Sequence, residues 1–154
     1  MCGIAGIIHN NEINYQLSIE LMNKAQFHRG PDDNGVFLDS SSKVALGHQR
    51  LSIIDTSSLG HQPMISNDGE VVIVFNGEIY NYKTLLSEVL GDKYKGNTDS
   101  DCEVIIYLYK EFGINFIKML DGIFSFILYD IENKKVVVAR DPIGIIPLYH
   151  GHDS

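Results

Sequence analysis

The chain has 154 residues, 44% hydrophobic and 21% charged, the size and balance of one globular domain with a sizeable core. Its net charge of −8 argues against binding along a nucleic-acid backbone, which takes clustered Lys and Arg. No apolar run approaches the length that spans a bilayer, and the N-terminus lacks the basic and apolar regions of a secretory signal. No membrane contact is therefore expected, and the expected compartment is the cytoplasm.

Gly3–His9 is a short apolar run that reads as a buried strand. Tyr15–Ala25 carries Leu17, Leu21, Met22 and Ala25 at helical spacing, the apolar stripe of a helix. His28–Gly35 is polar and rich in turn residues. Val44–Ile54 reads as a strand interrupted by the polar group Gly47-His48-Gln49-Arg50, and Thr56–Pro63 as loop. Glu70–Phe75 is a β-branched run followed at once by Asn76-Gly77, the pattern of a strand ending in a tight turn. Tyr82–Leu90, with Leu85, Leu86, Val89 and Leu90, predicts a second helix, and Asp92–Ser100 a polar loop. Asp101 opens a third helix with Val104, Ile105, Leu108 and Tyr109 on one face. An Asp there caps the helix and opposes its dipole, and Gly113 ends it. A short helix is expected at Asn115–Leu120. Strands are expected at Ile123–Tyr129 and Lys135–Ala139 around a turn at Glu132-Asn133, with the start of another at Pro147–His150. The mixture is α+β, with no internal repeat and no long linker.

The two cysteines, Cys2 and Cys102, form no CxxC pair, and no residue group has metal-ligand spacing, so no metal is expected. Thiols of an intracellular protein stay reduced, so a disulfide between them is not expected either. Cys2 stands out by position. A small residue after Met allows removal of Met1, which would leave Cys2 at the amino terminus. Its own α-amino group, with a reference pKa of about 7.7–8.0, can then shuttle protons for the neighbouring thiol. Taken alone, Cys2 is better read as a small apolar residue near a chain end.

The wider pattern decides between these. Met1-Cys2-Gly3-Ile4-Ala5-Gly6-Ile7 resembles the start of class II glutamine amidotransferases, which are N-terminal-nucleophile enzymes. HRGPD at His28–Asp32, RLSIID at Arg50–Asp55 and GHQP at Gly60–Pro63 resemble the glutaminase domain of glutamine-hydrolysing asparagine synthetases. So do FNGEIYNY at Phe75–Tyr82, SDCEVI at Ser100–Ile105, DGIFSFILYD at Asp121–Asp130 and ARDPIGIIPLY at Ala139–Tyr149. The motifs run in order along nearly the whole chain.

The resemblance implies a four-layer αββα sandwich. It implies that Cys2 attacks the side-chain amide carbon of L-glutamine, releasing ammonia and leaving a γ-glutamyl thioester that water hydrolyses. Asn76, through its side-chain amide, and Gly77, through its N–H, would stabilise the oxyanion. Arg50 would grip the substrate α-carboxylate, a task suited to a guanidinium fork. Asp101 would hold the α-ammonium with help from Glu78, and Leu51, Ser52, Ile53 and Ile54 would line the site. The His28–Asp32 loop is expected to be structural or a mobile cover. His48 and His61 are assigned to structure, because the terminal amine makes a separate base unnecessary. Cys102 is expected to be packed. No cofactor is implied for glutamine hydrolysis. ATP and Mg belong to the synthetase domain of the family, whose SGGxDS signature is absent, as is a phosphate-binding GxxxxGK[ST] loop. Residues 1–154 therefore read as one glutaminase domain, apparently truncated at its C-terminal end, with the ammonia-accepting synthetase on another domain or chain. The alternative is a non-catalytic glutamine-binding or regulatory module, or a truncated fragment that needs a partner chain.

Overall fold

A computed structural model describes residues 1–9, 14–52, 60–94, 96, 98 and 100–152. Among these, strands β1 (Gly3–Ile8), β2 (Asp33–Asp39) and β3 (Val44–Arg50) form one antiparallel sheet in the order β1-β3-β2. Strands β4 (Met64–Ile65), β5 (Val71–Ile79), β6 (Gly122–Asp130) and β7 (Lys135–Arg140) form a second, in the order β4-β5-β6-β7. The helices are α1 (Tyr15–Ala25), a short α2 (Tyr82–Thr84) and α3 (Asp101–Phe112).

Alternation along the strands builds the layers. Val72 and Val74 of β5 meet Val44 and Leu46 of β3 and Ile127 and Tyr129 of β6 between the two sheets. The intervening residues Val71, Ile73 and Phe75 turn the other way, onto Val104, Ile105 and Leu108 of α3. On the outer face of the first sheet, Ala5 and Ala45 pack against Ile19 of α1. The order of layers is thus α, β, β, α, as the resemblance implies. The Tyr129 hydroxyl donates to the Asp39 carboxylate at 2.6 Å and ties the sheets together at the end of β2.

Several elements differ from the sequence reading. β3 is unbroken through Gly47-His48-Gln49-Arg50, because both its edges are paired, to β1 and β2. β2 begins at Asp33, inside the stretch read as turns. β5 does not turn at Asn76-Gly77. It runs on to Ile79, with Asn76 opposite Ser125 and Gly77 opposite Phe124 on β6. The helix expected at Tyr82–Leu90 begins as α2 and widens to a π-helical turn over Leu85–Leu90. A 3-10 turn over Gly113–Met119 replaces the short helix expected at Asn115–Leu120. Pro147–His150 is not a strand, and among the described residues β7 pairs with β6 alone. Both Ile53 and Ile54, the last residues of the strand expected at Val44–Ile54, lie outside the described residues, as does the first half of the Thr56–Pro63 loop.

The face of α1 also differs. Leu17, Leu21 and Met22 are exposed, while Ile19 and Asn23 are buried. Asn23 Nδ2 donates to the Gly35 carbonyl at 2.9 Å and to the His48 carbonyl at 3.3 Å. Opposite it stands Gly47, where a Cβ would come within 2.6 Å of Asn23 Oδ1. A polar residue seated on a side-chain-free patch of sheet thus fixes the rotation of this helix.

Candidate active site

At one end of the sandwich the layer between the sheets turns from apolar to polar. On β3 the inward series Val44, Leu46 continues as His48 and Arg50. On β5 the series Val72, Val74 continues as Asn76. Cys2 precedes β1 in the same alternation as Ile4. Of these, the side chains of Cys2, Arg50 and Asn76 converge on a cleft of about 180 Å³. Cys2, Arg50, Leu51, Asn76, Gly77, Glu78 and Asp101 all line it. Ser52 lies beside it and does not line it. Its N–H donates to Asp32 Oδ2 at 2.8 Å.

Cys2 is held from three directions. The Leu51 N–H points at Cys2 Sγ from 3.4 Å, and the thiol reaches the Leu51 carbonyl at 3.7 Å. Arg29 Nε donates to the Cys2 carbonyl at 3.0 Å. With the Asp32–Ser52 bond, this gives the His28–Asp32 motif a structural part, fastening residue 2 and the segment after Arg50. Met1 also lines the cleft.

The edge of β5 determines what the cleft presents. The Ile131 N–H donates to Glu70 O and the Tyr80 N–H to Asp121 O, which bracket the β5–β6 ladder and fix its phase. Even-numbered residues of β5 bond to β6, and odd-numbered ones turn their N–H and C=O to the opposite edge. β4 covers that edge only as far as Ile73. Beyond it, side chains take the place of a strand. Gln62 Oε1 accepts from the Phe75 N–H at 2.7 Å, and Asp101 Oδ2 accepts from the Ile79 N–H at 2.8 Å. Gly77 lies between them, so its N–H is turned to the same edge where the cleft opens. Its φ of +148°, and a Cβ position only 2.1 Å from the Ile123 carbonyl, restrict this position to glycine.

Asp101 is 4% exposed at the start of α3, and burial pushes its carboxyl up to about 6, with the nearby Glu78 charge adding to the rise. The N–H groups of Ile79 and Cys102 oppose that rise. The capping residue is Ser100, whose Oγ accepts from the Cys102 N–H at 3.3 Å. Asp101 is therefore the first helical residue rather than the expected cap. His48 is fully buried with Nε2 3.1 Å from the Phe75 carbonyl, and burial draws its pKa down to about 4. Cys102 is buried in the α3 core, with its thiol pushed up by burial. His61 pairs with Asp33 at 2.7 Å.

Gln62, Phe75, Ser100, Ile123 and Ile146 also line the cleft and were missed as site residues. The GHQP and SDCEVI motifs already contained Gln62 and Ser100, but neither residue type signals a role by itself. Among the described residues no group of three or more His, Cys, Asp or Glu could hold a metal ion. No helix among them is long and apolar enough to cross a membrane.

A family model described as the glutamine amidotransferase domain matches residues 1–154. The chain belongs to that family. It is 46% identical to a probable glutamine-hydrolysing asparagine synthetase of Schizosaccharomyces pombe, over 100% of this chain and 27% of that protein. It is 41% identical to the glutamine-hydrolysing asparagine synthetase B of Escherichia coli K12, with the same two coverages. The chain thus spans about a quarter of the length of these relatives. A solved glutamine phosphoribosylpyrophosphate amidotransferase of B. subtilis superposes with a TM-score of 0.70 over 94% of this chain and 38% of that one. At 22% identity it supports the amidotransferase fold.

Proposed function

We propose that this amidotransferase domain hydrolyses L-glutamine to glutamate and ammonia, with Cys2 as nucleophile after removal of Met1. One observation carries the reading. The Gly77 N–H, the Asn76 amide and the Cys2 thiol meet in one cleft, on a strand edge that Gln62 and Asp101 close to either side.

The freed α-amine of Cys2 accepts the thiol proton, and the sulfur attacks the amide carbon of glutamine. The developing oxyanion takes hydrogen bonds from Asn76 Nδ2 and the Gly77 N–H. Losing one such donor typically costs about 2.7–4 kcal/mol of transition-state stabilisation. The α-ammonium then gives its proton to the leaving nitrogen, and ammonia departs from a γ-glutamyl thioester. Water, deprotonated by the same amine, attacks the thioester through a second oxyanion and releases glutamate. Arg50 and Asp101 sit on opposite elements of the cleft, with Glu78 beside the latter, and answer the two charges of the amino acid. No step needs a cofactor.

The ammonia acceptor in this reading is a synthetase part that amidates aspartate, which would yield the asparagine that the names of the relatives above carry. ATP and Mg enter only there. The alternative to turnover is glutamine binding alone. That second reading is a domain that binds glutamine without turning it over, as retention of Met1 would bring about by leaving Cys2 without a free amine.

The deciding experiment measures ammonia release from glutamine after mass spectrometry has established loss of Met1. Release that disappears in Cys2→Ala supports the hydrolase. Saturable glutamine binding with no release from the processed chain refutes it and favours the binding module.

A further inference from the structure

We infer that His48 and Gln62 are positioning residues that together grip the Phe75 main chain and so aim Asn76 and Gly77 at the reacting oxygen. The inference deepens the glutamine reading and rests on it.

Beyond Ile73, β5 has no neighbouring strand on its outer edge among the described residues. An edge of that kind is free to twist, yet this one carries both oxyanion donors within two residues. Phe75 immediately precedes them, and both its main-chain groups are taken by side chains. Its N–H donates to Gln62 Oε1 at 2.7 Å, and its C=O lies 3.1 Å from His48 Nε2. The two side chains come from different places, the segment before β4 and the central strand of the opposite sheet. The Phe75 C=O belongs to the same peptide plane as the Asn76 N–H. Asn76 is in turn bonded to β6, which holds the Gly77 N–H pointing the other way across its trans peptide. Fixing Phe75 therefore fixes the one Cα from which both donors spring.

The chemistry of His48 fits this and not acid–base work. A carbonyl only accepts, so Nε2 carries the proton and donates it. Nδ1 is buried with no hydrogen-bond partner among the described residues. The preceding inward residues of β3, Val44 and Leu46, fill the same layer with apolar side chains. A histidine with one unsatisfied nitrogen is a costly substitute for a third, unless the Nε2–H bond is needed.

The test compares His48→Leu with His48→Gln and Gln62→Leu with Gln62→Glu. Each pair contrasts a variant that loses the bond with one that retains a donor or acceptor of similar reach. The bond-losing variants are expected to lower kcat for glutamine about 10- to 100-fold with KM within about threefold. The bond-keeping variants should retain kcat within about threefold. Alkylation of Cys2 by iodoacetamide is the control, since displacement at carbon forms no oxyanion. Its rate should be the same in all four. Equal kcat in both members of each pair overturns the inference, and so does a kcat loss matched by a slower alkylation. If the leucine variants do not fold, a large loss of kcat in His48→Gln and Gln62→Glu overturns it and retention supports it. An unmodified, processed chain with no glutaminase activity refutes the glutamine reading itself, and this inference falls with it.

Discussion

Replacing Asp101 by asparagine should make the protein more stable and a poorer binder of glutamine at once. The carboxyl is buried, and its pKa rises from 3.8 to about 6. A carboxyl whose folded pKa lies above its unfolded value binds its proton more tightly in the folded chain. Its contribution to stability is full below pH 3.8 and is lost as the pH rises through about 6. Above that, keeping the group ionised in the fold costs on the order of 3 kcal/mol. The neutral amide of Asp101→Asn would carry no such cost, and its oxygen can still accept from the Ile79 N–H. In a domain of this size that corresponds to a rise in thermal midpoint of about 6–12 °C.

The assay is urea unfolding of both proteins between pH 4 and pH 8. The gap should be below about 1 kcal/mol at pH 4, widen through pH 6 and level off above it. In parallel, kcat/KM for glutamine should fall about 10- to 100-fold, as expected when a charge-assisted contact to the substrate ammonium is lost. A gap independent of pH would refute the assignment of the cost to the ionised Asp101. A stabilised variant with unchanged kcat/KM would refute its role in holding the ammonium. In the unmodified protein, kcat/KM should rise with pH through about 6, because the ionised form binds the ammonium.

Three further outcomes follow. Gly77→Ala places a Cβ 2.1 Å from the Ile123 carbonyl at a φ of +148°; activity should disappear, and unfolding free energy should drop by about 2–4 kcal/mol in urea titration. Ile19→Ala should cost about 2–5 kcal/mol by the same titration, while Leu21→Ala, at a position 57% exposed, should stay within about 0.5 kcal/mol. Comparable losses at both positions would contradict the observed rotation of α1. His48 is held neutral, its pKa drawn from 6.5 to about 4, so stability is full above pH 6.5 and is lost as the pH falls through about 4. That acid loss should reach about 3 kcal/mol and be absent from His48→Gln, read as the pH midpoint of unfolding monitored by circular dichroism.

The layered αββα order and most of the cleft were legible in the sequence, because motif order along the chain carries both. What escaped was set by tertiary pairing. Asn-Gly after a β-branched run is a sound local signal for a hairpin turn. Here β6 pairs straight through both residues, and a ladder of main-chain bonds outweighs a turn preference. His48 and Arg50 looked like an interruption of β3 for a related reason. Polar side chains are out of place in a buried strand until a partner is supplied, and for His48 the partner is the Phe75 carbonyl on the other sheet. The stripe of Leu17, Leu21 and Met22 misled because hydrophobic spacing assumes an apolar seat. The sheet beneath α1 instead offers Gly47 and main-chain carbonyls, and Asn23 takes them. These departures are connected. Asn23 bonds the carbonyl of His48, His48 reaches the carbonyl of Phe75, and Phe75 precedes Asn76 and Gly77. The residues that break local rules form a chain of contacts from the outer helix to the cleft, where holding a donor in place outweighs local preference.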